Sequence, residues 1–248
     1  MSAEKIPVRQ IIEKLDAYLN KEDYDSANRL LKYWLEKART LEDLQGELSV
    51  LNEIMGFSRR INDVDGGLRA VKRGFDLLEQ LSVDDKTAGT ILLNGATTLK
   101  AFGKPCEAID YYQVAEQRFK DSLPITDPLW GGLYNNCALT LSDLGRYEDA
   151  LDYFQNAIDI MAQKENGALE MAVTLTNISE LFEKMGESDG LIEQTLSQAL
   201  ALLDDVSLPR NGYYAFVCRK CAPTFGHFGW FVTQRELNER ADEIYEGN

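Results

Sequence analysis

Residues 133–160 read LYNNCALTLSDLGRYEDALDYFQNAIDI, and they predict two helices joined by a turn at Gly145. Beyond the turn, a helix starts near Tyr147 and its apolar residues fall on one stripe, at Ala150, Leu151, Phe154, Ala157 and Ile158. Asn135 and Asn136 stand in the first of the two helices, although asparagine is a poor helix former. Their presence therefore needs a reason other than local propensity.

The same pattern returns along the chain at an almost constant interval. The turn glycines Gly103 and Gly145 lie 42 residues apart, and Gly186 follows Gly145 after 41 residues. Weaker copies precede them, around residues 11–38 and 51–74. Repeats of this length are typical of a solenoid, in which each helical pair buries its apolar faces only against its neighbours. We therefore predict repeats at about 8–42, 43–83, 84–124, 125–166 and 167–204.

The helix–turn–helix pattern with small residues at fixed places, and the turn sequence GRYEDALDYFQNAI, resemble the tetratricopeptide repeat. The interval exceeds the usual length of about 34 residues, and it is closer to the extended-helix variant of kinesin light chains and bacterial peptide-sensing regulators. The resemblance implies an all-α, right-handed superhelical solenoid of about five to six helical hairpins. Residues 205–248 are expected to add an aromatic-rich capping pair, which resembles the C-terminus of uncharacterised bacterial proteins of this family.

Composition restricts the partners and the compartment. The 248 residues include 26 Lys and Arg against 41 Asp and Glu, which gives a net charge of −15. This charge repels phosphate backbones and anionic lipid, so we expect neither nucleic acid nor a membrane as a partner. The N-terminus has no secretory signal pattern, and four cysteines in so long a chain do not make a disulfide framework. We expect a cytoplasmic protein.

The resemblance gives the asparagines a role. In tetratricopeptide arrays the first helices of the repeats line a concave surface, where Asn commonly binds the backbone of an extended peptide. An amide offers both a donor and an acceptor, which suits a peptide unit whatever its side chain. Alignment by the turns places Asn94, Asn136 and Asn177 at one position, with Asn52 and Asn135 one residue earlier. The alternative is that these asparagines bond between adjacent first helices and only fix the register of the stack.

Seven residues after each amide lies the same helical face, and the charges there have both signs. Arg59 follows Asn52 and Lys184 follows Asn177 at this spacing, whereas Asp143 follows Asn136. Arg59, Arg60 and Lys100 make the N-terminal half of the groove basic, and an arginine there suits a carboxylate as a bidentate partner. The predicted peptide-binding residues are Asn52, Arg59, Asn94, Lys100, Asn135, Asn136, Asn177 and Lys184.

The C-terminal segment leaves alternatives open. Cys218 and Cys221 form a CRKC motif before His227, the only histidine, and two thiols three residues apart on a helix are common core residues. A metal site or a redox pair is the alternative. We expect Pro223 to interrupt the sixth first helix. Seven aromatic residues in the 19 positions of YYAFVCRKCAPTFGHFGWF form either the core of a cap or an exposed face for a partner or a homodimer.

The motifs of common enzyme classes are absent from the sequence: it has no phosphate-binding loop, no HExxH and no GxSxG. We predict a non-catalytic scaffold, without cofactor or metal, that binds a peptide or protein segment in its concave groove. Two alternatives remain. One is a small-ligand or metal-dependent sensor built on Cys218, Cys221 and His227, and the other is a purely structural self-assembly module.

Overall fold

Pairs of α-helices make up the chain, whose computed structural model describes residues 4–164 and 167–247. Those residues form twelve α-helices and no β-strand, and each helix is too short or too polar to span a bilayer. The helices form two compact units that divide between Leu123 and Pro124. Below, the leading helix of each pair is called the first helix and the other the second helix.

The first unit contains three helical pairs. In chain order its helices are α1 (Val8–Leu19), α2 (Tyr24–Thr40), α3 (Leu44–Ile61), α4 (Val64–Gln80), α5 (Asp85–Ala101) and α6 (Pro105–Ser122). The first helix α3 is central, because it contacts α1, α2, α4 and α5. Ala27, Ala70 and Ala108 are buried between helices, and such small residues allow close approach of the backbones.

The second unit contains the other three pairs. Its helices are α7 (Pro128–Asp143), α8 (Tyr147–Met161), α9 (Ala168–Met185), α10 (Asp189–Leu203), α11 (Gly212–His227) and α12 (Phe231–Glu246). Here α9 is central and contacts α7, α8, α10 and α11. On the predicted stripe of α8, Ala150, Phe154 and Ala157 are fully buried, whereas Leu151 and Ile158 are only half-buried.

Each hairpin turns through a residue in the left-handed conformation. Gly103, Gly145 and Gly186 have φ of 78°, 73° and 74°, which glycine adopts at little cost because it lacks a Cβ. Glu22 and Asn62 take the same conformation, with φ of 55° and 56°, in the turns of the first two hairpins. The turn geometry is therefore kept where the sequence has no turn glycine.

The C-terminal pair corrects one prediction. α11 continues through Pro223, so the expectation that this proline interrupts the sixth first helix is wrong. Pro223 itself is exposed, while its neighbours Ala222 and Phe225 are fully buried. This burial offsets the backbone hydrogen bond that proline removes. Since α11 packs on α9, residues 205–247 belong to the second compact unit.

Candidate functional site

Three first helices lie side by side in the second unit, where α9 contacts both α7 and α11. Their side chains line a groove of about 300 Å³. Three of the predicted peptide-binding residues, Asn135, Asn136 and Asn177, are among them. We call this surface the inner groove and define it by Asn135, Asn136, Glu170, Asn177, Tyr213, Phe216 and Lys220.

Two of the three amides in the inner groove are bonded to each other. Asn177 Nδ2 donates to Asn135 Oδ1 at 3.1 Å, and Asn135 Nδ2 donates to Thr174 Oγ1 at 2.6 Å. Thr174 in turn donates to the backbone carbonyl of Glu170 at 2.9 Å. The chain of bonds links the adjacent first helices α7 and α9, which is the arrangement that the register hypothesis describes.

The first unit contains an equivalent pair. Asn94 Nδ2 donates to Asn52 Oδ1 at 2.9 Å, and this bond links α5 to α3. Arg59 strengthens the same link, since its guanidinium donates to the Asn94 carbonyl at 3.0 Å and to Thr98 Oγ1 at 2.6 Å. Burial lowers the pKa of Arg59, and the structure shows no carboxylate paired with it in residues 4–164 and 167–247.

Asn136 differs from the four paired asparagines. Its side chain is half-buried at the inner groove. Its backbone carbonyl accepts a hydrogen bond from Thr140 Oγ1 at 2.7 Å, but its side-chain amide has no hydrogen-bond partner among the described residues. An amide with a free donor and a free acceptor can bind a peptide unit from another chain.

An aromatic pair and a carboxylate complete the inner groove. Tyr213 and Phe216 are 48% and 52% exposed, and their stacked rings have centroids 6.2 Å apart. Tyr213 Oη donates to Glu170 Oε1 at 3.1 Å. Burial, with the negative charge of Glu170, raises the pKa of Tyr213 to about 12, so this hydroxyl remains a donor at neutral pH.

The second oxygen of Glu170 is not satisfied. Glu170 Oε2 is buried and has no hydrogen-bond partner in the part of the chain that the structure describes. A buried polar atom without a partner is unfavourable by about 1–3 kcal/mol, and more if charged. Glu170 itself lines the groove.

The two predicted lysine sites lie towards the ends of first helices. Lys184 Nζ donates to Ser142 Oγ at 2.9 Å and is 3.8 Å from Asp143 Oδ1. This lysine therefore links α9 to α7 at a second place, about two helical turns after Asn177. Lys100 is in the last turn of α5 and is half-buried.

The cysteines of the CRKC motif are buried core residues, as their helical spacing predicted. Cys218 and Cys221 are free thiols, both fully buried in α11. Burial raises the pKa of Cys218 and raises that of Cys221 to about 12, whereas metal binding and nucleophilic attack require the thiolate. His227 lies on the surface with Nε2 2.8 Å from Glu183 Oε2. The described residues contain no group of three His, Cys, Asp or Glu that could hold a metal ion.

The C-terminal aromatic cluster is divided between core and surface. Tyr214 and Phe225 are 1% and 0% exposed, whereas Tyr213, Phe216 and Phe231 are about half exposed or more. The segment therefore contains both residues of a buried core and residues of an exposed face, the two alternatives that the sequence leaves open.

Comparison with known proteins supports the repeat assignment. The family model described as tetratricopeptide repeat matches residues 132–205, from the start of α7 to the end of α10. Residues 132–205 are therefore similar to tetratricopeptide repeats. The described residues on either side of the match form helical pairs of the same kind, with turns mostly 41 or 42 residues apart. No curated protein matches the chain.

Solved tetratricopeptide structures share the fold at low sequence identity. BtubC from P. vanneervenii has a TM-score of 0.60 and 17% identity, covering 92% of this chain and 91% of its own. A putative kinesin light chain repeat protein of Podosopora anserina has a TM-score of 0.58 and 12% identity, covering 80% and 94%. A Rap protein complexed with Competence and Sporulation Factor has a TM-score of 0.56 and 15% identity, covering 96% and 77%.

Four of the seven residues that define the inner groove are not among the predicted peptide-binding residues, namely Glu170, Tyr213, Phe216 and Lys220. Tyr213, Phe216 and Lys220 are separated by three and four residues and therefore share one face of α11. That spacing is readable in the sequence, but the sequence leaves open whether the segment is the core of a cap or an exposed face for a partner. Tyr213 follows its partner Glu170 by 43 residues, so extending the repeat period by one step identifies the contact.

Proposed function

We propose that this protein is a non-catalytic scaffold whose inner groove binds an extended peptide segment of a protein partner. The observation that carries the proposal is the unpartnered side-chain amide of Asn136, beside the half-exposed rings of Tyr213 and Phe216. The fold supports an interaction role, since it is shared with a Rap protein solved in complex with Competence and Sporulation Factor.

The groove residues divide the recognition of such a peptide among them. Asn136 pairs with a backbone amide of the ligand, which requires no particular side chain. The rings of Tyr213 and Phe216 provide apolar contact area with little loss of side-chain entropy.

Charges of both signs line the groove, because Lys164 and Lys220 lie there with Glu170. A peptide with mixed charge fits this lining better than one with a single sign. We therefore expect binding that weakens only modestly as salt is added.

The paired asparagines have a supporting role in this proposal. Asn135 and Asn177 fix the register of α7 against α9, and this register sets the position of Asn136. In the first unit Asn52 and Asn94 do the same for α3 and α5. Lys100 and Lys184 remain proposed peptide contacts near the ends of their helices.

In the first unit, Arg59 provides a different kind of contact for a ligand. Its guanidinium is half-buried and bonded to neutral oxygens only, in the residues described. A carboxylate of the ligand is the group that would neutralise it, since arginine and carboxylates form strong paired hydrogen bonds.

Substitution of Asn136 tests the proposal. The probe is a peptide selected on the wild-type protein from a random displayed library, and fluorescence anisotropy measures its affinity. We expect Asn136→Ala to weaken binding about tenfold, the effect of losing roughly 1.4 kcal/mol of hydrogen bonding. The melting temperature should stay unchanged, because this amide has no partner in the described residues of the free protein.

Asn135→Ala is the matched control on the same helix. We expect it to lower the melting temperature, because Asn177 and Thr174 lose their hydrogen-bond partner. Equal affinity of wild type and Asn136→Ala for the selected peptide would contradict the proposal. A lower melting temperature of Asn136→Ala with full binding would instead assign Asn136 to the scaffold.

A further inference from the structure

A second groove lies between the second helices α8 and α10 of the second unit, with α9 between them. Its volume is about 630 Å³. Its most deeply buried residues are Ile178 and Leu175 of α9 and Thr195 of α10, at 5%, 9% and 6% exposure. We call it the outer groove and define it by six half-buried apolar residues, Leu151, Ile158, Met171, Phe182, Leu191 and Leu202.

The first unit provides an internal comparison, because the grooves beside its own second helices have volumes of only about 220 Å³ between α2 and α4 and about 380 Å³ between α4 and α6. Between α2 and α4, Glu47 of α3 accepts hydrogen bonds from Arg39 at 2.9 Å and from Arg73 at 2.8 Å. Between α4 and α6, the rings of Phe75 and Tyr111 are in contact, with centroids 4.2 Å apart. The grooves of the first unit are thus smaller than the outer groove and are crossed by the protein's own side chains.

The outer groove has no such bridge. Among the described residues, no hydrogen bond, ion pair or ring contact joins α8 to α10. The polar residues that line it are uncharged, namely Gln155, Gln194 and Gln198 at its edges and the buried Thr195. An open apolar groove with polar residues at its edges is typical of a surface that binds another protein.

The charge around the outer groove indicates the kind of partner. α8 and α10 carry no Lys or Arg, and their acidic residues are Glu148, Asp149, Asp152, Asp159, Asp189 and Glu193. Asp152 and Asp159 are exposed and flank Gln155 on the helical face next to the apolar stripe of α8. A partner with complementary charge carries basic residues beside its own apolar stripe.

We propose that the outer groove binds one amphipathic helix of a protein partner, with an apolar stripe and basic flanks. The groove follows α9 from Met171 to Phe182, which is about 16 Å along a helix axis. That length accommodates roughly three turns of a docked helix, whose apolar residues recur at three- and four-residue spacing. This surface shares no defining residue with the inner groove.

The test uses a synthetic probe rather than the unknown partner. The probe is a labelled peptide of about 18 residues, enough for five helical turns, with leucine at helical spacing on one face and lysine elsewhere. Two comparison peptides replace every lysine by glutamate or scramble the order of the same residues. We expect the wild-type protein to bind the lysine peptide at least about tenfold more tightly than either comparison peptide.

Variants of the protein locate the binding. Ile158→Lys places a positive charge at the groove, and we expect at least about tenfold weaker binding of the lysine peptide. Asn156→Lys is the matched control, because it adds the same charge at an exposed position of α8 outside the groove, and it should bind as wild type. Gln198→Lys, at an exposed position of α10 that lines the groove, provides a second variant and should weaken binding in the same direction.

Several outcomes would overturn the proposal. Equal binding of the lysine peptide to wild type, Ile158→Lys and Gln198→Lys would place it elsewhere on the acidic surface. Equal affinity of the wild-type protein for the lysine peptide and for its scrambled form would show that binding depends only on net charge. A wild-type dimer in sedimentation that Ile158→Lys dissociates would show the groove to be a contact between copies of this chain. Asn136→Ala should leave this binding unchanged, which separates it from the inner groove.

Discussion

Asparagine inside a helix is unfavourable, because its side chain competes for backbone groups. Five asparagines nevertheless stand in the first helices from α3 to α9, and four of them are compensated by pairing. Asn52 bonds to Asn94, and Asn135 bonds to Asn177, each across a separation of 42 residues. Asn136 has no such compensation in the described structure, and the proposed function rests on this difference.

The sequence predicts the helices that carry these amides, but not which amides pair. Alignment by the turns groups Asn136 with Asn177, whereas the structure pairs Asn177 with Asn135. The reason is geometric: successive turns are 41 residues apart here, while the side chains that meet across the two helices are 42 residues apart. Contact between helices depends on their packing angle and relative shift, which spacing along one chain does not specify.

A buried ion pair in the first unit yields a stability prediction. Glu47 has a side chain only 2% exposed and accepts hydrogen bonds from Arg73 and Arg39. We expect Glu47→Gln to lower the free energy of unfolding at neutral pH by about 2 kcal/mol, since charged hydrogen bonds are lost. Urea unfolding measures the change. The matched control is Glu79→Gln, an exposed carboxyl on α4, with an expected effect below about 0.5 kcal/mol.

The effect of Glu47→Gln should depend on pH. Burial alone would raise the pKa of the Glu47 carboxyl, but the hydrogen bonds from Arg73 and Arg39 outweigh it and the pKa is lowered. A carboxyl with a lowered pKa in the folded state stabilises the protein above its unfolded pKa, about 4.3. The stabilisation is lost as the pH falls below that value and through the folded pKa. A difference between wild type and variant that stays constant from neutral to strongly acidic pH would contradict this account.

At the scale of the helical hairpin, the turn is the feature that the sequence predicts best. Gly103, Gly145 and Gly186 mark three turns correctly, because each has the positive φ that glycine favours. The turn at Asn62 has a weaker marker, since asparagine also adopts the left-handed conformation after a helix, and the turn at Glu22 has none. Packing of the two helices that flank the turn holds Glu22 in this conformation, which its propensity disfavours.

A pair of glycine substitutions isolates the contribution of the turn. A Cβ added at Gly145 or at Gly190 meets no atom within 4 Å, but Gly145 has φ of 73° while Gly190 is inside α10. We expect Gly145→Ala to destabilise by about 1 kcal/mol, because alanine is strained at positive φ. Gly190→Ala should stabilise by about 0.5–1 kcal/mol, because alanine is the better helix former. Thermal unfolding compares the two, and a shift of the same sign in both variants would contradict the assignment of the turn.

Helix α11 shows why the C-terminal pair was harder to predict. Pro223 is a strong local signal against a helix, yet α11 runs from Gly212 to His227 because tertiary burial prevails. The aromatic residues gave a second misleading signal, since a single cluster in the sequence divides between the core and the inner groove. Periodicity identifies which residues share a face, but not which neighbour that face meets.

At the scale of the whole molecule, the repeat period predicts the all-α architecture and its helical pairs. It does not predict the division into two compact units, because the period continues across residue 123 without interruption. The division into two units depends on how consecutive repeats pack against each other. The sequence pattern of the repeats, by contrast, is the same on both sides of residue 123. Nor does it predict that the outer groove of the second unit stays open, since bridging depends on single side chains such as Glu47 or Phe75 in the first unit.

The two proposed surfaces of the second unit differ in chemistry. The inner groove presents an amide, a carboxylate and two rings, which suit an extended backbone. The outer groove presents apolar side chains with acidic residues nearby, which suit a basic amphipathic helix. Under the two proposals, a partner that carries both segments on one chain, with a linker long enough to reach both grooves, would bind more tightly than either segment alone.

The side-chain amide resonances of isotope-labelled protein, followed during titration with the library-selected peptide, test the central claim most directly. The account predicts that the Asn136 resonances shift and saturate at the affinity measured by anisotropy, while those of the Asn52 and Asn94 pair stay in place. Saturation of the protein with peptide while the Asn136 resonances remain unchanged would contradict it.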